Sequence, residues 1–415
     1  MRYVIVGASA AGLSAAQAIL ELNPGADLLL VDRERRAPYA RPLISYWLSG
    51  DAEDENVCLP GNIVDSLDIR AGRRAVSLEP AAGKLELDDG DSITWDKLLI
   101  ATGADSKKVE VKGEDAAGVF GFRSWDDAEA IGKAIDKGAK RAVVLGGGLI
   151  GVKAALALSK RGVDTSLCIS SAHPLSQNIG PEAGRLAVEA LEKEGVKVLT
   201  GHVAQEITSG PCGVTGVRFS APDAEIPCNI VIRGKGVCPC GELVGANDPG
   251  GSILVDMTMA TSFPNVWAAG DVARCHDRVR QEAFTNAIWP VAVEQGRIAG
   301  LNMVGANEKY EGSFARNSVR IGKTHFISAG LLGKPGEDLE IFTRIGKNYL
   351  RQTVLREGIL VGFTSVEKAN TGPTNAGLAV NAVGAGFRMS DLCFDPLSPK
   401  AHAGSSTLNY MSKDQ

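Results

Sequence analysis

Several features that mark membrane, secreted or nucleic-acid-binding proteins are missing from this sequence. No apolar run approaches the roughly 18 residues that a membrane-spanning helix needs. A strand-like run begins at Tyr3, which leaves no room for the regions of a signal peptide. The formal net charge of -5 offers no broad basic surface for a phosphate backbone or an anionic bilayer. We therefore expect a cytoplasmic protein that binds neither membranes nor nucleic acid.

Cysteine and histidine are too scattered to suggest a disulfide framework or a metal centre. The chain has 8 cysteines and 5 histidines, and Cys238 and Cys240 are the one close pair of thiols in the sequence. A structural metal site needs about four ligands, and the histidines do not gather around this pair. We expect reduced thiols and no metal site, with a redox or metal role of Cys238 and Cys240 as the alternative.

What the sequence contains is a repeated order of strand, glycine turn, helix and strand. Residues 3–32 form one such unit, with an alanine-rich helix predicted at 13–22, and residues 141–169 form the other. Strands that alternate with helices predict parallel sheets with right-handed crossovers, so we expect two doubly wound domains of the α/β class. Shorter alternating segments after about residue 306 predict a small α+β domain.

The first glycine turn has the pattern of a dinucleotide-binding site. It reads Gly7-Ala8-Ser9-Ala10-Ala11-Gly12. Gly7 permits the tight turn, and the small Ser9 lets the backbone approach a pyrophosphate at the positive end of the helix. Asp32 ends the second strand, where a carboxylate accepts hydrogen bonds from ribose hydroxyl groups. The alternative is an ordinary tight turn between a strand and a helix.

The second glycine turn runs from Gly146 to Gly151, keeps all three glycines of the pattern and predicts a second nucleotide. The strand after it ends without a carboxylate, which removes the usual attraction for a free ribose 2′-hydroxyl. No nearby Arg or Lys replaces it to favour a 2′-phosphate, and Ser170, Ser171 and His173 could bind either form. The choice between NAD and NADP stays open, with a slight preference for NAD.

Two further motifs complete a resemblance to a known family. They are Ala101-Thr102-Gly103 after an apolar strand and a segment that ends in Gly270-Asp271. With the two glycine turns, and in this order, they resemble the FAD-dependent pyridine nucleotide-disulfide oxidoreductase superfamily, within it the branch of rubredoxin reductases, nitrite reductases and NADH oxidases. The resemblance covers roughly residues 1–365. It implies a glutathione reductase-like fold, bound FAD and NAD(P)H as the second cofactor.

The resemblance also implies which residues contact the cofactors. Asp271 would bond to the ribityl chain of FAD, and the helix within residues 286–296 would point its positive end at the flavin. The segment Tyr39-Ala40-Arg41-Pro42 resembles a flavin-flanking segment of the rubredoxin reductase-like branch, and a solvated surface arginine is the alternative for Arg41. The expected FAD contacts are Gly7, Ser9, Ala10, Ala11, Gly12, Asp32, Arg33, Arg41, Pro42, Ala101, Thr102, Gly103, Gly270, Asp271, Trp289 and Pro290, and the expected nicotinamide nucleotide contacts are Gly146, Gly148, Leu149, Ile150, Gly151 and Ser170.

The sequence departs from this family in the redox centre. Disulfide reductases carry two cysteines on the helix after the first unit, and coenzyme A disulfide reductases and peroxidases carry one. Residues 43–48 contain none, and the C-terminal His-Glu pair of the disulfide reductases is missing as well. Because no thiol there can receive electrons from the flavin, we expect disulfide or peroxide reduction by the usual route to be excluded.

A second departure concerns an ion pair beside flavin N5. Relatives often place a lysine on the first helix and a glutamate just after the second glycine turn, where this chain has Tyr46 and Lys153. Our hypothesis is that the positive charge has changed sides. Lys153 would supply the cation that favours hydride arrival, and Tyr46 or Trp47 would shape the nicotinamide side. The alternative for Lys153 is a lysine on the surface of a helix.

These observations predict an NAD(P)H-dependent FAD oxidoreductase, in which hydride passes between the nicotinamide and flavin N5. We expect an FAD-binding domain of residues 1–107 and 233–304, an inserted NAD(P)-binding domain of residues 108–232, and a C-terminal interface domain of residues 305–415 with a loose tail after about Pro399. The expected electron partner is a rubredoxin-like or iron-sulfur protein, with the chain acting alone or as the flavin subunit of a metal-containing complex such as a tungsten aldehyde oxidoreductase. The alternatives are an NADH oxidase that reduces oxygen and a redox-sensing interaction flavoprotein like apoptosis-inducing factor.

Overall fold

The structure is a computed structural model that describes residues 1–245, 250–333, 338–368 and 374–398. The helices and strands up to residue 107 are β1 (Arg2–Val6), α1 (Ala10–Leu22), β2 (Asp27–Asp32), α2 (Ile44–Ser49), α3 (Asp54–Val57), α4 (Gly61–Val64), β3 (Asp68–Ala71), β4 (Ala75–Glu79), β5 (Lys84–Leu87), β6 (Ser92–Thr94), β7 (Lys97–Ile100) and β8 (Ala104–Ser106). Strands β7, β1, β2 and β3 lie side by side and parallel in the first sheet, and β4, β5 and β6 form a small antiparallel sheet. The apolar residues of β1 are buried on both faces, as expected for a central strand of a parallel sheet.

The middle of the chain builds a second parallel sheet. Its elements are β9 (Val119–Phe120), α5 (Trp125–Asp136), β10 (Arg141–Leu145), α6 (Leu149–Lys160), β11 (Asp164–Cys168), α7 (Pro181–Lys193), β12 (Val196–Leu199), β13 (Val203–Gly210), β14 (Gly213–Ala221), β15 (Asp223–Pro227), β16 (Ile230–Arg233) and β17 (Val237–Pro239). The sheet has the strand order β12-β11-β10-β16-β9, and its pairs are parallel. Strands β13 to β15 form an antiparallel sheet, and β17 pairs with β8.

The last part of the chain first returns to the first sheet and then forms a sheet of its own. Its elements are β18 (Ile253–Leu254), β19 (Val266–Ala268), β20 (Ala273–Asp277), β21 (Glu282–Phe284), α8 (Trp289–Met303), β22 (Arg316–Ile321), β23 (Thr324–Gly330), β24 (Glu340–Ile345), β25 (Tyr349–Arg356), β26 (Ile359–Lys368) and α9 (Ala376–Ala385). Strand β19 pairs parallel with β7 and extends the first sheet. Strands β18, β20 and β21 form a small sheet. The C-terminal sheet is antiparallel in the order β22-β23-β26-β25-β24 and packs against α9.

Close packing of α1 against α8 joins the two parts of the chain that share the first sheet. A Cβ atom on Gly296 would clash with the backbone of Ala11, and one on Gly300 would clash with the backbone of Ala15. The small residues on both helices therefore allow the two backbones to touch. This packing brings the start of α8 next to the first glycine turn.

The predicted pair of parallel α/β units is confirmed, with small differences at the boundaries. Helix α1 begins at Ala10 rather than Leu13, because Ser9 is already the extended residue that precedes the helix. Strand β11 ends at Cys168, one residue before the predicted end. The predicted division into three domains stays a prediction, and the tail predicted to be loose lies outside the described residues. Among the described helices, none combines the length and the hydropathy needed to cross a lipid bilayer.

Candidate functional site

A large cavity lies where loops of the two parallel sheets and the C-terminal sheet meet. Its volume is about 980 Å³, within the range of cofactor sites. The predicted cofactor contacts that line it are Gly7, Ser9, Ala10, Ala11, Asp32, Arg33, Arg41, Pro42, Ala101, Thr102, Gly103, Leu149, Ile150, Gly270, Asp271, Trp289 and Pro290. The predicted contacts that do not line it are Gly12, Gly146, Gly148, Gly151 and Ser170. We call this space the central cavity.

The first glycine turn enters the cavity with its backbone pressed against a neighbouring loop. Gly7 has a φ of +113°, and a Cβ atom there would clash with the carbonyl of Ala101. A Cβ atom on Gly12 would clash with the carbonyl of Gly7, so Gly12 shapes the turn from behind the cavity wall. Within the described part of the chain, no side chain caps the start of α1 and no acid lies in its first turn. Because Ser9 and Ala10 line the cavity, the positive end of this helix faces it and suits a phosphate group.

Asp32 stands beside the same turn at the end of β2. Its Oδ2 accepts a hydrogen bond of 2.8 Å from the N–H of Ala8, and its Oδ1 accepts one of 2.9 Å from the N–H of Glu34. Burial raises the pKa of Asp32, and these two backbone bonds partly offset that effect. The carboxylate is fixed in place and retains lone pairs that can accept bonds from a ligand's hydroxyl groups.

Arg41 is held at the cavity wall by a polar cluster. It forms an ion pair with Glu34, and its Nη1 donates a hydrogen bond of 3.0 Å to the hydroxyl of Tyr39. The Tyr39 hydroxyl donates to Glu34 over 2.6 Å and accepts a hydrogen bond of 2.8 Å from the backbone N–H of Trp125. Burial raises the pKa of Tyr39, so the hydroxyl stays protonated near neutrality. With its side chain 22% exposed, Arg41 is a positioned residue and not a solvated surface arginine.

Sequence reasoning missed the cation that faces Asp271. Nη2 of Arg123 lies 2.6 Å from Oδ2 of Asp271, and the same guanidinium donates to the carbonyl of Ala104. Both Arg123 and Asp271 line the cavity. No local spacing could have linked them, because they are 148 positions apart in the chain.

The second glycine turn repeats the construction of the first. Gly146 has a φ of +117°, and a Cβ atom on it would clash with the carbonyl of Gly234, just as a Cβ atom on Gly7 would clash with the carbonyl of Ala101. Gly151 packs against the carbonyl of Gly146 in the same way as Gly12 against Gly7. A Cβ atom on Gly148, at the start of α6, would meet open space. Gly234 is a structural partner of this turn that the sequence did not reveal.

Lys153 lines the cavity and Tyr46 does not. Its Nζ donates a hydrogen bond of 3.3 Å to the carbonyl of Pro42 and lies 5.9 Å from the centre of the Tyr46 ring. Burial lowers the pKa of Lys153. Tyr46 is 42% exposed and Ser170 is exposed as well, so both lie at the surface outside the cavity wall.

The C-terminal sheet supplies a third wall that the sequence did not predict. Asn317 and Ser318 on β22, Ser328 on β23 and Asn381 on α9 line the cavity. The Ser318 hydroxyl is 2.7 Å from Nε2 of His325. These four residues bring polar groups to the cavity, beside the apolar Ile327 and Val380, and they lie on different elements from either glycine turn.

Cys240 lines the cavity, and its neighbour Cys238 is exposed. Burial raises the pKa of the Cys240 thiol to about 11, so the thiol is protonated near neutrality. Across the described ranges, no group of three or more potential metal ligands comes together. The cavity, the starts of α1, α6 and α8 that line it and its carboxylates fit a dinucleotide such as FAD together with a second nucleotide.

Comparison with known proteins identifies the family. The model described as pyridine nucleotide-disulphide oxidoreductase matches residues 1–296. The chain belongs to this family. It is an NAD(P)H-dependent flavin oxidoreductase whose cofactors are FAD and a nicotinamide nucleotide. The family and the enzyme class predicted from the sequence are therefore confirmed.

Three relatives and one solved structure illustrate the similarity. An NADH oxidase of Methanocaldococcus jannaschii is 29% identical over 75% of this chain and 71% of its own. Subunit epsilon of the NADH-dependent phenylglyoxylate dehydrogenase of Aromatoleum evansii is 30% identical over 88% of both chains. A ferredoxin--NAD(+) reductase component of a biphenyl dioxygenase system, from Paraburkholderia xenovorans, is 31% identical over 65% of this chain and 66% of its own. The NAD-dependent persulfide reductase of A. fulgidus has the same fold, with a TM-score of 0.86, 23% identity, and coverage of 95% of this chain and 80% of its own. The predicted glutathione reductase-like fold is confirmed.

Proposed function

We propose that this enzyme exchanges electrons between NAD(H) and a protein partner that carries a metal centre. The observation that carries the proposal is the cavity wall beside α2, where Pro42, Ile44 and Ser45 stand and no cysteine occurs in residues 41–49. Without a thiol at this wall, electrons have no route from a flavin to a disulfide or a peroxide by thiol exchange. The names of two relatives support a protein partner, since one names a ferredoxin and the other a dehydrogenase subunit.

We assign the first glycine turn and its surroundings to FAD, which when bound supplies a ring that accepts a hydride and releases electrons one at a time. The start of α1 would hold the pyrophosphate, and Asp32 would accept bonds from the adenosine ribose. Asp271, held by Arg123, would accept bonds from the ribityl chain. Arg41 and Arg33 line the same wall, each in an ion pair with a carboxylate, and their guanidinium groups would donate hydrogen bonds to the two phosphates.

We assign the start of α6 to the nicotinamide nucleotide. Leu149 and Ile150 line the cavity there, and the open space at Gly148 leaves room for a pyrophosphate to approach the backbone. Ser170 lies past the end of β11, where a nucleotide ribose would extend. We propose NAD rather than NADP, because residues 169–173 contain no Arg or Lys to bind a 2′-phosphate.

Lys153 is the residue that we propose to act on the hydride step. It stands on α6 between the two nucleotide sites, and its ammonium reaches the Pro42 carbonyl beside the proposed flavin site. A cation there would stabilise negative charge that arrives with a hydride. Tyr46 would act through its ring contact with the Lys153 ammonium.

The experiment that tests the function is purification of the protein from its native cells at low salt, followed by assays with separate acceptors. A co-purifying metalloprotein, and NADH oxidation that is much faster with ferredoxin or rubredoxin than with oxygen, would support the proposal. The second candidate is an NADH oxidase, which the name of the Methanocaldococcus jannaschii relative favours. A pure homomer that consumes oxygen rapidly with NADH would establish that candidate and refute the first.

A further inference from the structure

The turn that carries Asp271 is tied to helix α8 by one side chain. The N–H of Gly270 donates a hydrogen bond of 2.8 Å to Oε1 of Gln295. Gly270 and Asp271 both line the central cavity, whereas Gln295 lies behind it and is 1% exposed. The Gln295 amide is thus the buried acceptor for the residue immediately before the proposed ribityl contact.

The orientation of the Gln295 amide is fixed at its other end too. Its Nε2 donates to Sγ of Cys275 over 3.1 Å, which leaves only the oxygen to face Gly270. The backbone position of Gln295 is fixed because the next residue, Gly296, touches the backbone of α1. Gln295 therefore presents its oxygen at a defined place on rigid packing.

The hydrogen bond matters to the ligand because a buried N–H group does not stay without an acceptor. If the oxygen of Gln295 is removed, the Gly270 peptide has to rotate towards water or another acceptor. That rotation moves the adjacent Asp271, whose carboxylate is also drawn towards Arg123 by the ion pair of 2.6 Å. The carboxylate would then leave the position from which it can accept bonds from a ligand.

We propose that Gln295 is a positioning residue for FAD, acting through the Gly270–Asp271 turn. The proposal rests on the role of Asp271 proposed above. Gln295→Met keeps the length and volume of the side chain and removes the acceptor. We expect it to weaken FAD binding to the full-length chain about tenfold, which corresponds to about 1.4 kcal/mol. Gln295→Glu keeps an oxygen at the same place, and a buried carboxyl group without a cation stays protonated, so this variant should bind FAD within about threefold of the wild type.

The matched control is Asn302, a buried amide on the same helix that is remote from the cavity. Its side chain bonds to the carbonyl groups of Thr258 and Glu308 and to the N–H of Glu308. Asn302→Leu should lower the melting temperature as a lost buried amide does, with the Kd for FAD changed less than about twofold. Equilibrium dialysis of FAD and thermal unfolding of the same preparations give both readings.

Asp271→Asn distinguishes a failure of the proposed role of Asp271 from a failure of the inference about Gln295. If it leaves the Kd for FAD unchanged, the proposed role of Asp271 is wrong. If it weakens binding while Gln295→Met lowers only the melting temperature, Gln295 is a structural residue and the inference is overturned. If Gln295→Met does not fold, the Kd for FAD is measured on Gln295→Asn instead, because its shorter amide cannot reach the Gly270 N–H. Tight FAD binding by that variant would equally overturn the inference.

Discussion

Replacing Tyr39 with phenylalanine removes one oxygen atom that holds three segments of the chain together. The hydroxyl donates to Glu34, and it accepts hydrogen bonds from Nη1 of Arg41 and from the backbone N–H of Trp125. Tyr39 is 4% exposed, and its ring meets the Trp125 ring edge-on, with 5.3 Å between the ring centres. Phenylalanine keeps this packing, so the change isolates the three hydrogen bonds.

The cost of Tyr39→Phe follows from these partners. Loss of the bond to the Glu34 carboxylate costs about 1.5–3 kcal/mol, and the buried Trp125 N–H left without an acceptor costs about 1–3 kcal/mol. The ion pair between Glu34 and Arg41 remains and compensates in part. We therefore expect the free energy of unfolding to fall by about 3 kcal/mol.

Urea unfolding followed by tryptophan fluorescence measures this loss, with Tyr310→Phe as the matched control. Tyr310 is also buried, but among the described residues its hydroxyl makes one bond, of 3.1 Å, to Glu294. Because the Glu294 side chain is 40% exposed, we expect about 1–2 kcal/mol for this control. A loss at Tyr39 no larger than that at Tyr310 would refute the reasoning about the cluster.

The same variant makes a prediction about alkaline pH. Because burial raises the pKa of Tyr39, the folded protein retains the phenol proton more tightly than the unfolded chain. This contribution to stability is complete below about pH 10, the ordinary tyrosine pKa, and is lost as the pH rises towards the raised pKa. Between about pH 10 and 11, the stability of the wild type should fall more steeply than that of Tyr39→Phe. Parallel slopes would contradict the assignment.

Three further changes test the nucleotide sites. Lys153→Met should slow flavin reduction by NADH about tenfold or more in stopped flow, whereas Lys160→Met, on an exposed side chain of the same helix, should leave the rate unchanged. Because burial lowers the pKa of Lys153, flavin reduction in the wild type should slow as the pH rises through the lowered pKa and the ammonium loses its proton. Flavin reduction in Lys153→Arg should stay fast, because the guanidinium remains charged. Ser170→Arg should raise kcat/KM for NADPH relative to NADH by about tenfold, since it offers a guanidinium to the 2′-phosphate; an unchanged ratio would place the ribose elsewhere. Gly146→Ala should lower the free energy of unfolding by roughly 1–3 kcal/mol in calorimetry, because its Cβ meets the Gly234 carbonyl, and unaltered stability would show that the turn can relax.

The glycine turns could be predicted from the sequence because each of their requirements is local. Gly7 and Gly146 each adopt a positive φ, and a helix follows each of them within three residues. Arg123 and Gln295 could not be found in this way. Their partners, Asp271 and Gly270, lie 148 and 25 positions away, and only the packing of separate elements brings them together. The cavity wall that the C-terminal sheet supplies was missed for the same reason.

The position of Cys240 bears on where the electrons leave. It is the cysteine that lines the cavity within the described residues, so it is the one candidate there for a thiol that replaces the missing redox centre. Burial raises its pKa to about 11, which leaves on the order of one thiolate in ten thousand molecules at pH 7. Disulfide exchange requires the thiolate, so Cys240 is a poor substitute for the cysteines of the disulfide reductases. Cys240→Ser should therefore leave turnover with a protein acceptor unchanged in a steady-state assay. A large loss of turnover in this variant, with FAD still bound, would mean that a thiol takes part after all and would remove the main argument for a protein partner.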